Sequence, residues 1–487
     1  MKLKWWLLIV IAGAQVCAAA EETNSPNAEI EALKKEVQAL ERKIERLEQQ
    51  QAAQQNVATQ PVESARVEEL DQKVKILERQ RESDQEQAEA AAKTAPKFSA
   101  DANGFKISSA DTNFVIQLKG LVQLDSRTFF EDGGIKDNDG FILRRARPIL
   151  QGTVYRDFDF AFVPDFGGST VQILDAYINY RFRPELQLEI GKFKSPVGLE
   201  ALESDTVTAF NERSMVTDLV PNRDLGVELH GDLFSGSLNY ALGIFDGAPD
   251  FSGSVPNLDY DDNKALAARV FLQPFRTTDI STLQGLGFGV GGSWEVDRSS
   301  SSASGTGLTP GYTTDGQQKF FTYNSGVYAD GEHWRISPQA YYYWKSFGIL
   351  GEYVYSDLGV TKGNASANLN NTAWEVTGSW ILTGENASYT GFTPARPFDP
   401  HKNQWGAWQL VARYSTVDID KKAFPIFSNP GTSASAAHEW AVGVNWFLNK
   451  NLRVNASFSH TQFVDGNSGA VTKQPENVLF TRVQLAF

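Results

Sequence analysis

The most chemically distinctive segment of the sequence is an arginine-rich run, Leu143-Arg-Arg-Ala-Arg147. Strand alternation would place Arg145 and Arg147 on one face together with Gln151, and would leave Arg144 near the rim. Arginine is always charged, and its planar fork of donors matches the oxygen atoms of phosphate. Rings of arginine or lysine in a pore favour anions, phosphate included. The run therefore indicates an anion-binding surface, if the fold provides a pore to hold it.

Further cationic residues share strand faces with polar or small residues. They are Lys119, Arg127, Arg181, Arg269, Arg335, Arg413, Arg453 and Arg482. An arginine on a lipid-facing surface costs about 2–4 kcal/mol near the bilayer midplane, so the interior of a barrel is their expected side. The alternative is that they only neutralise interior carboxylates, and charge alone leaves this alternative open. The candidate carboxylates are Asp125, Asp159, Asp175 and Glu228.

The elements that would position these cations are strands, because the sequence alternates at a period of two from Asn113 onward. The apolar face of the first segment comprises Phe114, Ile116, Leu118, Val122 and Leu124. Its opposite face comprises Gln117, Lys119, Gln123, Asp125 and Arg127. In a soluble sandwich the apolar face would be core, whereas in a membrane barrel it faces lipid. Aromatic clusters at Tyr341–Trp344 and at Trp405 and Trp408 predict a girdle at the membrane interface.

The connections between these segments favour the membrane barrel, because short turns alternate with long polar loops. The short turns include Tyr155-Arg-Asp157, Arg183-Pro-Glu185 and Phe234-Ser-Gly236. The long loops include Lys194–Asn222, Gly247–Asn263, Asp297–Gln318 and Thr383–Asn403. At roughly 24 residues for a strand with its connection, the chain from residue 101 onward gives about 16 strands, with about 14 or about 18 as the alternatives. The predicted fold is an all-β transmembrane barrel of antiparallel strands, which at this size encloses an aqueous channel.

The beginning of the sequence predicts a secretory signal peptide at residues 1–20. A basic start, an apolar run from Trp5 to Ala14 and the small residues Cys17-Ala-Ala-Ala20 form the expected three-part pattern. Cleavage after Ala20 would remove the only cysteine, so neither a disulfide nor a thiolate metal site is expected.

Residues 21–97 are predicted to form a helical coiled coil and a linker, which would leave 98–487 to the barrel. Apolar residues recur there at spacings of three and four: Ile30, Leu33, Val37, Leu40, Ile44 and Leu47, then, after a break at Gln49–Gln60, Val67, Leu70, Val74 and Leu77. Such heptads, with β-branched residues at position a and Leu at position d, favour a coiled coil of two helices. A single solvated helix is the alternative. The segment Ala90–Pro96 is interpreted as the linker.

Several classes of function find no support in the sequence. The formal net charge of −14 argues against a nucleic-acid partner, and no segment is apolar enough for a helical membrane span. The glycine-rich run Gly285–Gly292 alternates with apolar residues, so it indicates a strand with a bare inner face rather than a nucleotide loop. Only five histidines occur, scattered along the chain, and no catalytic constellation accompanies them. Catalytic residues, cofactors and metal ions are therefore not expected.

Several motifs resemble a known family, the phosphate- and polyphosphate-selective porins (porin O and P). They are Phe141–Gly152, Asp157–Phe160, Asp175–Tyr180, Gly191–Pro196, Pro221–Gly226 and Trp405–Tyr414. The final segment, Val478–Phe487, is a half-polar strand with a terminal aromatic residue, and it resembles the last strand of bacterial outer-membrane barrels.

The resemblance implies an outer-membrane homotrimer of 16-stranded barrels that conducts phosphate or polyphosphate-type anions. It also implies a third loop that folds inward to narrow the pore. Here Lys192 and Lys194 lead into that loop, Ser195–Val220, which holds Arg213. The N-terminal segment would lie in the periplasm, where the coiled coil offers a possible peptidoglycan contact. The alternatives are a general or carbohydrate-type porin without phosphate preference, and a barrel anchor with a coiled coil that tethers the cell wall.

Overall fold

The computed structural model describes residues 38–47, 62–130, 139–168, 170–250, 262–298, 309–465 and 475–487. The expected signal peptide and the heptad positions Ile30, Leu33 and Val37 lie outside the described residues. The chain divides into two compact units, Met1–Ala92 and Lys93–Phe487.

The first unit is helical, at residues 38–47 and Val62–Thr94. Its predicted seam residues, among them Leu40, Ile44, Leu70 and Val74, are exposed on the single chain. Among the described residues, no helix has the length and apolar character needed to cross a bilayer. The helices agree with the heptad pattern, whereas their self-association stays a prediction.

The expected linker at Ala90–Pro96 is wrong in its bounds, because the helix continues to Thr94 and the first strand begins at Lys97. Alanine is the strongest helix former, and the run from Ala90 to Ala92 keeps the chain helical. Pro96 disfavours helical geometry at the residue before it, so the helix ends there.

The second unit is a closed antiparallel β-barrel of sixteen strands, as predicted. The strands are β1 (Lys97–Asp101), β2 (Gly104–Ser108), β3 (Val115–Phe129), β4 (Gly140–Val154), β5 (Phe158–Asp165), β6 (Gln172–Arg183), β7 (Leu186–Lys194), β8 (Arg223–Leu233), β9 (Leu238–Phe245), β10 (Ala265–Leu272), β11 (Leu286–Arg298), β12 (Tyr312–Thr313), β13 (Lys319–Phe321), β14 (Tyr328–Trp344), β15 (Phe347–Lys362), β16 (Ala365–Ile381), β17 (Ala407–Asp418), β18 (Ala434–Phe447), β19 (Leu452–Asp465) and β20 (Glu476–Ala486). The barrel comprises β3–β11 and β14–β20, and β20 pairs with β3 to close it.

Four strands lie outside this cylinder. The hairpin β1–β2 pairs with the beginning of β3, where Phe105 lies opposite Leu118. The short strands β12 and β13 pair with each other. The remaining short elements are helical turns at Leu199–Leu202, Met215–Leu219, Pro400–Lys402 and Lys421–Ala423.

The two faces of the barrel wall differ as the alternation predicted. On β3 the apolar residues Ile116 and Leu124 are about half exposed on the outer surface, whereas Gln123 and Asp125 are buried inside. Exposed apolar side chains recur on the outer face of strand after strand. This outer surface is the one that faces lipid in a membrane barrel.

Two bulges break the alternation and turn residues inward that the sequence placed elsewhere. The β3–β4 register shifts where Gln123 and Leu124 oppose Arg145 and Leu143, which leaves Arg144 as the extra residue. A second shift in β5–β6 does the same to Leu174, which strict alternation from the exposed Ile178 would turn outward but which is buried. At a bulge, two residues of one strand oppose a single residue of the partner strand, so the alternation of inward and outward side chains shifts by one residue beyond it.

Most connections segregate by length to the two ends of the barrel. The short-turn end carries the β4–β5, β6–β7 and β8–β9 turns, and the long-loop end carries the β7–β8, β9–β10 and β11–β14 connections. The predicted long loop Thr383–Asn403 joins β16 to β17 at the short-turn end, contrary to the expected segregation. Conversely, β15 and β16 meet at the long-loop end in a tight turn at Gly363 and Asn364.

The aromatic girdle is only partly as expected. Trp344 and Trp405 are exposed at the short-turn end, but Tyr341 lies in the interior and packs against Phe271. Tyr343 is also turned inward and packs against Tyr341. Consecutive strand residues point to opposite sides, so a run of four aromatic residues cannot all face lipid.

The closing seam of the barrel contains a buried ion pair between directly opposite residues. Arg482 on β20 donates from Nε and Nη2 to the two carboxylate oxygens of Asp125 on β3, each at 2.7 Å. Both side chains are fully buried. Breaking a buried pair leaves a charge uncompensated, which is strongly destabilising.

We expect Asp125→Asn to lower the free energy of unfolding by about 3–5 kcal/mol. Urea unfolding in detergent, followed by the heat-modifiable mobility of the barrel on gels, measures the change. Asp399→Asn, which removes an exposed pair with Lys402, is the matched control and should leave stability unchanged. Equal stability of Asp125→Asn and the wild type would contradict this account of the seam.

Candidate functional site: the barrel interior

The connection between β7 and β8, residues 195–222, folds into the barrel and is here called the inward loop. Side chains from several strands hold its backbone carbonyl oxygens. Gln339 Nε2 donates to Val197 O, Asn445 Nδ2 to Ala209 O, Arg453 Nη1 to Thr208 O and Gln484 Nε2 to Thr206 O, at 2.9–3.0 Å. These four donors lie on β14, β18, β19 and β20. The inward fold implied by the family resemblance is therefore present in the structure.

The beginning of the inward loop is anchored from two directions. Glu352 on β15 accepts hydrogen bonds from the backbone N–H groups of Leu199 and Glu200, at 2.9 and 3.0 Å. From the short-turn end, the Tyr389 hydroxyl donates to Leu199 O at 2.7 Å. These bonds satisfy backbone groups that would otherwise be buried without partners.

The glycine-rich strand β11 makes room for this loop. Its apolar residues Phe288 and Val290 face outward, as expected for a strand rather than a nucleotide loop. A Cβ atom on Gly291 would overlap the carbonyl oxygen of Val197. The bare inner face therefore permits close approach of the loop backbone.

Three arginines converge on one carboxylate of the inward loop, Asp205. Arg213 Nη1 lies 2.6 Å and Arg145 Nη2 lies 3.4 Å from Asp205 Oδ1, and Arg147 contacts Oδ2. Arg147 also binds Asp165 through Nε at 2.6 Å. Burial alone would raise the pKa of Asp205, but the three guanidiniums hold it well below its usual range.

A second loop carboxylate, Glu212, binds the inward-turned Arg144. Arg144 donates from Nε and Nη2 to Glu212 at 2.6 and 2.8 Å, so this arginine is not at the rim. Arg482 Nη2 lies 3.4 Å from the same carboxylate. Burial opposes ionisation of Glu212, yet these cations lower its pKa.

These arginines form one continuous surface, here called the arginine wall. It comprises Arg144, Arg145, Arg147, Arg213 and Arg482. The carboxylates paired with it are Asp125, Asp165, Asp205 and Glu212. Five guanidiniums thus face four carboxylates, which leaves a local surplus of positive charge.

Two other interior arginines are outnumbered by carboxylates. Arg413 contacts Asp315, and lies 3.2 Å from Glu439 and 3.6 Å from Glu200. Arg335 also contacts two carboxylates, at 2.5 and 3.1 Å. The interior therefore carries both signs, with the positive surplus confined to particular surfaces.

Three predicted cations bind only neutral oxygens and form no ion pair within the described part of the chain. Arg127 donates to Gly316 O at 3.0 Å and to Gln317 Oε1 at 2.8 Å. Arg269 donates to the side-chain oxygens of Gln339 and Asn239 at 2.9 and 3.2 Å. Arg453 donates to Thr208 O and to Gln484 Oε1 at 2.9 and 3.1 Å. Their positive charges are not cancelled locally.

Of the remaining predicted cations, Lys194 adjoins the arginine wall, because it donates to the same carbonyl oxygen as Arg213. Arg181 is partly exposed and pairs with Asp159 at 2.8 Å. Lys192 is buried, and Lys194 Nζ donates to Glu203 O at 2.6 Å. Lys119 lines a cavity of about 510 Å³ at the short-turn end. Glu203 and Arg453 line the same cavity.

The loop carboxylates and a second segment that folds inward were not predicted from the sequence. Asp315 and Gly316, in the β11–β14 connection, contact Arg413 on β17 and Arg127 on β3. The same connection meets the inward loop, where Thr313 N donates to Asp218 Oδ2 at 2.8 Å. Of the four expected interior carboxylates, Asp125, Asp159 and Asp175 pair with arginine, the last with Arg223. Glu228 is buried, and its Oε2 atom accepts no hydrogen bond from the described residues.

Comparison with known proteins agrees with this architecture. Residues 116–487 match the family model described as phosphate-selective porin O and P. The chain belongs to this family. A search of curated proteins finds no match.

Among solved structures, this porin is similar to the outer membrane channel DcaP of Acinetobacter baumannii, at 13% identity and a TM-score of 0.50, over 77% of this chain and 98% of that chain. It is also similar to OmpT, an outer membrane protein of Vibrio cholerae, at 13% identity and a TM-score of 0.49, over 80% of this chain and 99% of that chain. The family and the fold make this protein an outer-membrane channel.

We expect Gly291→Ala to displace the inward loop, because the added methyl group overlaps the Val197 carbonyl. Overpacking of this kind costs about 1–3 kcal/mol of stability. Single-channel conductance in planar bilayers and the unfolding temperature measure the two effects. Gly378→Ala is the matched control, since the nearest atom to its added Cβ is 3.9 Å away. Unchanged conductance and stability in Gly291→Ala would rule out a close fit of loop and wall.

Proposed function

We propose that this porin is selective for small anions of the phosphate and polyphosphate type. The observation that carries the proposal is the arginine wall, where guanidiniums outnumber carboxylates beside the inward loop. Arg127, Arg269 and Arg453 add interior charges that only neutral oxygens oppose. The family description points to the same class of substrate.

Mechanistically, the guanidinium forks would replace part of the hydration shell of an oxyanion. Asp205 and Glu212 already occupy part of these forks, so a passing anion must compete with them. This competition keeps each site weak, and several weak sites in series permit exit as well as entry.

The proposal extends to assembly and orientation. In outer-membrane barrels the short turns are periplasmic, and β3 begins at the short-turn end, so the N-terminal helices would lie in the periplasm. An exposed seam such as Leu40, Ile44, Leu70 and Val74 requires a partner helix, which a homotrimer of this chain would supply. Peptidoglycan contact through these helices belongs to the same proposal.

A general or carbohydrate-type porin is the second candidate, and one observation favours it. Most interior arginines are paired, and Arg413 and Arg335 each contact more than one carboxylate. A fully compensated interior would select by size rather than by charge. Ion selectivity separates the two candidates directly.

We expect the wild-type channel to be anion-selective in a salt gradient, and the double variant Arg145→Ala/Arg147→Ala to lose most of this preference. The variant leaves Asp205 with Arg213 as its only ion-pair partner among the described residues, which adds net negative charge to the wall. Reversal potentials across planar bilayers measure the preference, and phosphate titrated against the chloride current measures competition.

Two further variants sharpen this measurement. Asp205→Asn should shift the reversal potential in the opposite direction, because it removes a negative charge from the same surface. Arg396→Ala, an exposed arginine in the β16–β17 connection, should change nothing. Cation preference in the wild type, or an unaltered anion preference in the double variant, would defeat the phosphate proposal.

Selectivity should also depend on pH through Glu203 in the inward loop. Burial, reinforced by the neighbouring Glu200, raises the pKa of Glu203 to about 8, although Arg213, Lys194 and Arg453 act in the opposite direction. The carboxyl is therefore neutral below this pKa and becomes negative as the pH rises through it. Since Glu203 lines the cavity at the short-turn end, its ionisation adds negative charge to the anion path.

We expect anion preference to fall between about pH 7 and pH 9, the range over which a group with this pKa ionises. Reversal potentials recorded across this range measure the effect. Glu203→Gln should make the profile flat, whereas Glu385→Gln, a partly exposed residue of the β16–β17 connection, should retain it. A wild-type profile without slope over this range would show that Glu203 does not act on the path.

A further inference from the structure

A second cluster of ionisable side chains lies at the long-loop end, separate from the arginine wall. Glu295 and Asp297 on β11 share the inner face with His333 on β14, and Glu295 is directly opposite His333 in the strand register. Their side chains are 5%, 6% and 2% exposed, respectively. Nothing in the anion path described above uses these three residues.

The histidine ring is oriented by groups on its far side. His333 Nε2 lies 3.2 Å from Asp250 Oδ1 and 3.2 Å from Ser356 Oγ. The Ser356 hydroxyl itself donates to Asp250 Oδ2 at 2.6 Å. A carboxylate that accepts from one ring nitrogen fixes the tautomer and leaves the other nitrogen able to bind a metal ion.

The other nitrogen faces two carboxylates at a spacing that suits metal coordination. His333 Nδ1 lies 3.4 Å from Glu295 Oε1 and 3.5 Å from Asp297 Oδ2. Ligand atoms at about 2.0–2.2 Å from a tetrahedral zinc ion are roughly 3.3–3.6 Å apart, so both distances fit. Ligand atoms of all three residues lie within 4.8 Å of one another.

An unpartnered atom at the same point supports this interpretation independently. Asp297 Oδ2 is buried and accepts no hydrogen bond from the described residues. A buried carboxylate oxygen without a donor is costly, and coordination of a cation would remove this cost.

The local charge also matches a divalent ion. Asp250, Glu295 and Asp297 contribute three negative charges, whereas Arg335 contributes one positive charge. Arg335 Nη2 lies 3.2 Å from His333 Nδ1, and Nη1 donates to Glu295 Oε1 at 3.1 Å. A bound cation would have to displace these two contacts, whereas Asp250 and Ala248 O would still hold the guanidinium. With a neutral imidazole, two negative charges remain, which one divalent cation neutralises.

We propose that Glu295, Asp297 and His333 bind a divalent cation of the zinc type, with Asp250 positioning the histidine. Three protein ligands leave a fourth position for water. A bound ion would join β11 to β14 and, through Asp250, to the beginning of the β9–β10 connection. It would thus stabilise the long-loop mouth of the barrel.

The test uses the full chain without a histidine tag, folded in detergent and dialysed against EDTA. Calorimetric titration with Zn²⁺ should show one tight site per chain, and Co²⁺ should give the visible absorption of a tetrahedral complex. His333→Gln and the near-isosteric Asp297→Asn should abolish both signals. Asp250→Asn should weaken Zn²⁺ binding by about 10–100-fold, as expected for a residue that orients a ligand.

His438→Gln is the matched control, because His438 on β18 bonds only to Thr416 among the described residues and should not affect metal binding. Heat-modifiable mobility confirms that each variant forms a barrel. Absence of a tetrahedral Co²⁺ spectrum in the wild type would overturn the proposal, whatever the variants show. Retention of one tight Zn²⁺ site in both ligand variants would overturn it as well.

Discussion

The structure depends on closure of the sheet. Within hydrocarbon no water is available to hydrogen-bond an exposed strand edge, so a membrane sheet must pair its first strand with its last. Here β20 pairs with β3 from Val478 opposite Phe129 to Ala486 opposite Leu121. Closure then forces every strand to divide its side chains between lipid and interior. The interior consequently receives the buried charges of the strands, such as Asp125, Arg145 and Arg482.

Charges gathered in this way must be compensated, and the inward loop supplies much of the compensation. Asp205 and Glu212 come from the loop, whereas most of the guanidiniums they bind come from β4 and β20. The same ion pairs thus hold the loop in the lumen and set the charge that a permeating ion meets. A substitution in one of these ion pairs is therefore expected to change both the position of the inward loop and the charge along the path of the ion.

Much of this architecture could be predicted from the sequence, because it follows from local pattern. Period-two alternation identified the strands and the inward faces of Arg145 and Arg147, and connection lengths gave the strand number. Bulges at Arg144 and Leu174 could not be predicted, since one extra residue in a strand leaves no compositional sign. The ion-pair partners were equally inaccessible, as Asp205 and Arg147 are 58 residues apart and meet only through the loop fold.

Other features were beyond prediction because they depend on strand parity or on register. One strand more or less before Thr383 would have moved the β16–β17 connection to the other end of the barrel. The cluster around His333 arises from the pairing of β11 with β14, which an intervening connection hides in the sequence.

The double anchorage of the inward loop has a mechanical consequence. Glu352 on β15 accepts a hydrogen bond from the N–H group of Leu199. Tyr389, in the β16–β17 connection, donates a hydrogen bond to the carbonyl oxygen of the same residue. A segment held at both backbone groups of one residue cannot rotate about that residue as a hinge. The beginning of the inward loop can then leave its place in the lumen only if both hydrogen bonds break.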